Sequence, residues 1–345
     1  MNNTADVSLL TSNSTPCSVA INTPALTITK VSMYSVIAIA SLLGNSLLVL
    51  VFIRTKAMRK TIDVFIINMA VSDLLFPVFV IPRLIVMEIT ESSAFIIQGV
   101  LGSLLCKICT FLADVSVSVS THSLVMITVE RFLAVVFPFK VRLISSNLRF
   151  YAILMVWIIA MGIHAPYFYT FRLTESGDCV SNWEPAFNNE PTHARYYTAL
   201  FVVVVILPFT IITVLYSVIL WTLIFKKDKI SVHRSRRARE KKKGSRQLRV
   251  TRMAVAIFVA FALCWVPFSV LQFLFSFAPE KIPECSLVLS VYFHVALVLA
   301  VAYCTVNPVI CFIFARNYRL PELLAVSQRS QLSSTSKGSQ RETDL

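Results

Sequence analysis

The chain has 345 residues, 56% of them hydrophobic and only 14% charged, with a mean hydropathy of +0.73. That balance excludes a soluble domain, whose single core has no room for so much apolar surface, and makes lipid the solvent for most of the chain. The formal net charge of +14 does not indicate nucleic acid, because the densest basic run, residues 234–243, lies between two apolar stretches, where topology and anionic membrane lipid already account for a positive loop.

Taken in chain order, residues 1–30 are polar, rich in Ser and Thr, and lack the basic-then-apolar pattern of a cleaved signal peptide. They are read as an extracellular N-terminal tail, with glycosylation sequons at Asn2 and Asn13. Residues 31–315 then contain seven runs long enough to cross a bilayer: 31–54, 62–87, 103–136, 150–171, 198–225, 249–277 and 287–315. Their length and their Leu, Ile, Val and Phe content exclude barrel strands, so the predicted fold is an all-α membrane protein, a bundle of seven transmembrane helices.

Lys and Arg set the orientation. Arg54, Lys56, Arg59 and Lys60 follow the first span, Lys140, Arg142 and Arg149 the third, and residues 226–252 hold 13 basic residues against Asp228 and Glu240. The alternate loops are acidic on balance, which puts the N-terminus outside and the C-terminus in the cytoplasm of a multi-pass plasma-membrane protein. After the last span, residues 316–326 read as a short amphipathic eighth helix on the membrane surface. Residues 327–345 read as a disordered serine-rich tail whose hydroxyls are either solvated or phosphorylated to recruit arrestin. Its end matches a ligand for a PDZ domain through Thr343 and Leu345.

Several polar residues inside the spans have no packing reason to be there. Asp73 lies midway through span two, where an ionised carboxylate costs a few kcal/mol or more unless paired or hydrated. Asn45, Ser120 and Asn307 fall at similar depth, and the four are expected to form an interhelical network that also hosts an allosteric sodium ion. Glu130 and Arg131 end span three, where a carboxylate beside a guanidinium suits a switch. Prolines at 77, 82, 166, 208, 267 and 308 are expected to bend their helices, and Trp265 sits beside one of them.

These residues resemble the rhodopsin-like (class A) G-protein-coupled receptors, with wording most similar to neuropeptide receptors. Carrying the resemblance are Gly44-Asn45, the NMAVSD run from Asn68 to Asp73, Cys106, Glu130-Arg131-Phe132, Trp157, Pro208, Tyr216, the FALCWVPF run from Phe261 to Phe268, and Asn307-Pro308, in order and at family-like spacing. By that resemblance, an extracellular ligand cavity includes Ala113, Asp114, Trp265, Phe268 and Gln272. Activation moves the cytoplasmic end of span six outward so that a heterotrimeric G protein enters beside Arg131, and Glu130, Tyr216, Gln247, Asn307, Pro308 and Cys311 form the switch. Cys106 and Cys179 are implied to form a disulfide; Cys17 and Cys285, also extracellular, are candidates for a second.

Two departures from the family pattern matter. Cys311 stands where many members carry tyrosine, so a hydroxyl that would face Tyr216 in the active state is missing, and Gln247 stands where some carry an acid that pairs with the span-three arginine. Amine receptors of the family use an aspartate at the position matching Ala113; Asp114 is rotated from it by about 100°, which disfavours a monoamine. A peptide is the preferred ligand, attracted by an acidic outer surface and covered by a long second outer loop, with amine, lipid and nucleotide ligands as alternatives. A transporter or channel is a remote alternative, since there are only seven glycines and no detectable repeat. No phosphate-cradling glycine loop or metal-ligand cluster marks an enzyme, and no cofactor beyond sodium is expected.

Overall fold

The computed structural model describes residues 23–54, 61–137, 145–226, 234–277 and 286–314, without the side chains of residues 146, 190, 225–226, 234–247 and 276. Among these are seven helical stretches long and apolar enough to cross a membrane. The first is α1, Pro24–Arg54. The second comprises α2 (Thr61–Asp73), α3 (Leu75–Phe79) and α4 (Ile81–Thr90), broken around Pro77 and Pro82. The third is the 38-residue α5, Gly99–Val136. The fourth is α6 (Ser146–His164) followed past Pro166 by the single turn α7, Tyr167–Thr170.

A hairpin of β1 (Phe171–Leu173) and β2 (Cys179–Ser181) comes next, antiparallel with Arg172 opposite Val180. Span five is α8 (Asn189–Phe201), a π-helical turn at Val202–Ile206, and α9 (Leu207–Lys226). The wide turn lies just ahead of Pro208, which has no N–H to give to a normal α-helical bond. Pro267 and Pro308, by contrast, stay within continuous helices, α10 (Arg234–Phe277) and α11 (Leu287–Phe314).

Span ends differ from those read in the sequence. α1 begins at Pro24, inside the stretch assigned to the tail, and span five begins near Pro191 instead of 198. Polar residues hid these starts. Lys30, which marks the end of the tail by hydropathy, is buried and pairs with Glu88 of α4 at 3.0 Å, so the helix keeps a charge in its first turns without exposing it to lipid. Span four, read as one run to 171, breaks at Pro166. Asn2, Asn13, Cys17, Cys285, the eighth helix, the tail and the Thr343–Leu345 terminus lie outside the described residues.

The bundle encloses polar side chains within an apolar core and presents apolar ones outward. Ser116, Ser118, Ser120 and Ser123 of α5 are fully enclosed, whereas Leu43 and Val288 are 67% and 78% exposed. Lipid solvates the outer side chains, and hydroxyls on the inside tie helices to one another. Asn68 donates to Ser123 Oγ at 2.9 Å and accepts from Trp157 Nε1 at 2.9 Å, joining α2, α5 and α6.

α11 packs tightly against α1 at Gly44. A Cβ there would stand 2.9 Å from both Cβ and Cγ of Pro308, a rigid ring that cannot turn aside. Gly44→Ala is therefore expected to cost about 1–3 kcal/mol through overpacking, read as a lowered thermal midpoint of the purified protein. An unchanged midpoint would mean that α1 is free to shift.

Candidate functional site

Each end of the bundle holds a distinct arrangement, linked through its middle. At one end, the Cys106–Cys179 disulfide joins the start of α5 to β2, so the hairpin is tied across the helix ends. Gly177 makes the hairpin turn with φ +88°, a left-handed conformation suited to glycine, and any Cβ there would strike Gln98. Ser93 and Ser176 both donate to Asp178, at 2.5 and 2.8 Å, which fixes the hairpin's acidic tip. Arg83 of α4 lies with its guanidinium 4.5 Å from the centre of the Phe95 ring.

Two turns below Cys106, Asp114 accepts a 2.5 Å hydrogen bond from the Tyr167 hydroxyl of α7. Tyr167 is itself enclosed, packed edge-on against His164, Phe171 and Tyr196. Ala113, one position earlier, turns away from that contact. The sequence reading identified the rotation of Asp114 but not the tyrosine that meets it.

Deeper still, Trp265 packs on Phe261, Phe268 and Tyr303, and its indole N–H is buried without a hydrogen-bond partner. An apolar cleft lined by Val117, Thr121, Val204, Phe209 and Phe261 lies against it. Gln272, two turns further along α10, is exposed, whereas Phe268 and Ala113 are half-buried.

Asp73 is fully buried at the centre. Ser120 donates to its Oδ1 and Asn307 to its Oδ2, both at 2.6 Å. The network extends through Ser72, 3.0 Å from Ser120, to Ser116, which bonds the Ser72 carbonyl and the Tyr303 hydroxyl at 2.8 Å each. Ser72, Ser116 and Tyr303 were not singled out in the sequence, although Ser116 and Ser120, four apart on α5, share a face. Asn45 is not one of this group: it donates to the Ser41 and Cys304 carbonyls at 3.0 and 2.9 Å, joining α1 to α11 one layer away. Its amide nitrogen is committed to these carbonyls, while its Oδ1 is buried without a hydrogen-bond partner.

A carboxylate, two serine hydroxyls and a carboxamide are hard oxygen donors of the kind that sodium accepts. The fit requires the Asn307 amide to turn, because its nitrogen now faces Asp73. If a cation takes that place, sodium is expected to weaken agonist binding in the wild type and not in Asp73→Asn, with potassium as ionic-strength control. Equal salt responses would leave a purely structural network.

At the far end, Glu130 and Arg131 form an ion pair within α5, with both side chains largely enclosed. Tyr216 of α9 is also buried. Cys311 is fully buried. The Gln247 side chain lies outside the described residues, while its helix, α10, continues past it to Arg234.

Residues 44–311 match the family described as 7 transmembrane receptor (rhodopsin family). The chain belongs to this family. It is therefore a multi-pass membrane receptor and not an enzyme. Among its relatives are the pyroglutamylated RF-amide peptide receptor of Rattus norvegicus, 28% identical over 83% of this chain and 67% of that one, and neuropeptide FF receptor 2 of the same species, 29% identical over 86% and 72%. The allatostatin-A receptor of Bombyx mori is 28% identical over 83% of this chain and 76% of its own.

Proposed function

We propose that the chain is a plasma-membrane receptor with its N-terminus outside, that it binds an extracellular peptide at the disulfide end, and that it activates a heterotrimeric G protein at the Arg131 end. One observation carries the ligand class: relatives from Rattus norvegicus and Branchiostoma floridae, each similar over more than four fifths of this chain, are named as peptide or neuropeptide receptors. The hairpin held by Cys179 supports it, since a strap fixed across helix ends leaves room for an extended chain. The basic loops beside Arg131 support the orientation. Arrestin, a PDZ-domain protein and anionic inner-leaflet lipid are proposed as further partners of the tail and the basic loop.

The test is nucleotide exchange. Full-length protein is incorporated in lipid nanodiscs with a G protein and presented with amidated peptides, including sequences ending in Arg-Phe-amide. Peptide-dependent exchange is expected. Exchange driven only by amines, lipids or nucleotides would overturn the peptide reading while leaving the receptor reading standing.

A further inference from the structure

A carboxylate set within a membrane bundle calls for a counter-charge, and half-buried Asp114 forms no ion pair with any described residue. Among the described residues no Lys, Arg or His nitrogen lies within 4.0 Å of Asp114; His164, packed on Tyr167, is near enough to feel its charge but does not pair with it. Its Oδ2 is satisfied by Tyr167, and that hydrogen bond fixes the side chain without neutralising it. Intramembrane carboxylates are costly and are tolerated where a cation or water path meets them.

The surroundings suit a cation. Tyr167 and Tyr196 pack at 6.1 Å, Tyr196 and Trp183 at 5.1 Å, and Tyr196 and Tyr197 at 5.6 Å, giving an aromatic wall beside the carboxylate. The faces of such rings attract ammonium and guanidinium groups. Asp114 also shares one face of α5 with Val117 and Thr121, three and seven residues on, and these line the cleft at Trp265. A ligand reaching from the aromatic wall toward Trp265 therefore passes Asp114.

We propose that Asp114 is the counter-ion for a cationic group of the ligand, an alkylammonium or guanidinium, held beside the Tyr167–Tyr196–Trp183 rings between spans three, four and five. This rests on the receptor reading and adds the chemistry of the site. Tyr167 is the positioning residue: it aims the carboxylate while leaving Oδ1 for the incoming charge.

The test uses small cations as probes, on full-length protein in nanodiscs. Thermal midpoints are recorded with phenethylguanidine, phenethylamine and neutral N-acetylphenethylamine, with sodium chloride as the ionic-strength control. The two cations are expected to raise the wild-type midpoint and the neutral amide to leave it unchanged; a larger rise with the guanidine than with the amine would assign a guanidinium, the reverse an ammonium. D114N, which keeps an oxygen for Tyr167 but no charge, should bind both cations about 30-fold or more weakly. Without any probe it should be at least as stable as the wild type. Y167F should retain the charge-dependent response at reduced affinity.

No rise in the wild type, an equal rise in D114N, or a D114N that is less stable or unfolded without probe would each overturn the proposal; the last would make the charge structural. Basal nucleotide exchange by the same wild-type preparation reports separately on the receptor reading.

Discussion

Replacement of Cys106 by serine is expected to remove most surface expression and ligand response together. The bond to Cys179 closes a loop with a sequence separation of 73, and chain-entropy arguments assign about 4 kcal/mol to a closure of that length. Cys106 is fully buried at the start of α5, so its loss frees the hairpin and leaves Cys179 as an unpaired thiol. The double replacement Cys106→Ser with Cys179→Ser should be no worse than the single one, because the two act as one unit. Cell-surface labelling and agonist binding measure both effects. Full expression and binding in the single mutant would show that β1 and the aromatic wall hold the hairpin without the bond.

A tyrosine at Cys311 should have an effect of similar size but of a different kind. The thiol is fully buried, so in this arrangement there is no space for a ring. Overpacking there costs about 1–3 kcal/mol. The cost falls on this arrangement alone if the helices around Tyr216 separate on activation and make room. Cys311→Tyr is then expected to lower the thermal midpoint and raise both basal and maximal signalling at matched surface expression. A lower midpoint with a reduced maximum would mean that the ring damages both arrangements equally.

The seven spans were legible because a bilayer imposes a length and a polarity that few other folds share. Their ends were not, since a paired charge inside a helix reads as a loop residue; Lys30 becomes a helical residue only once Glu88, 58 positions away, is seen to meet it. Asp73, Arg131 and Trp265 announced themselves as misfits in apolar runs. The partners that make them a system did not. A helical period says that Ser116 and Ser120 share a face, but not that Tyr303 and Asn307 of α11 are what that face meets. Asn45 illustrates the converse: equal depth suggested proximity to Asp73, and the packing of α1 on α11 directed its amide to Cys304. Asp114 was legible as a rotated residue, and its tyrosine partner emerged only from the turn that follows Pro166.

The wide turn at Val202–Ile206 has an evolutionary corollary. Such a turn is an α-helix with one residue inserted, so Tyr196 and Tyr197 stand about 100° further round the axis than a regular helix anchored at Pro208 would place them. Relatives without the insertion, aligned at that proline, present different neighbours to the aromatic wall even where their residues are identical. A single codon gained or lost here can re-aim half of a binding face while the half beyond Pro208 keeps its frame, which offers receptors a route to new ligands that leaves the signalling end unchanged.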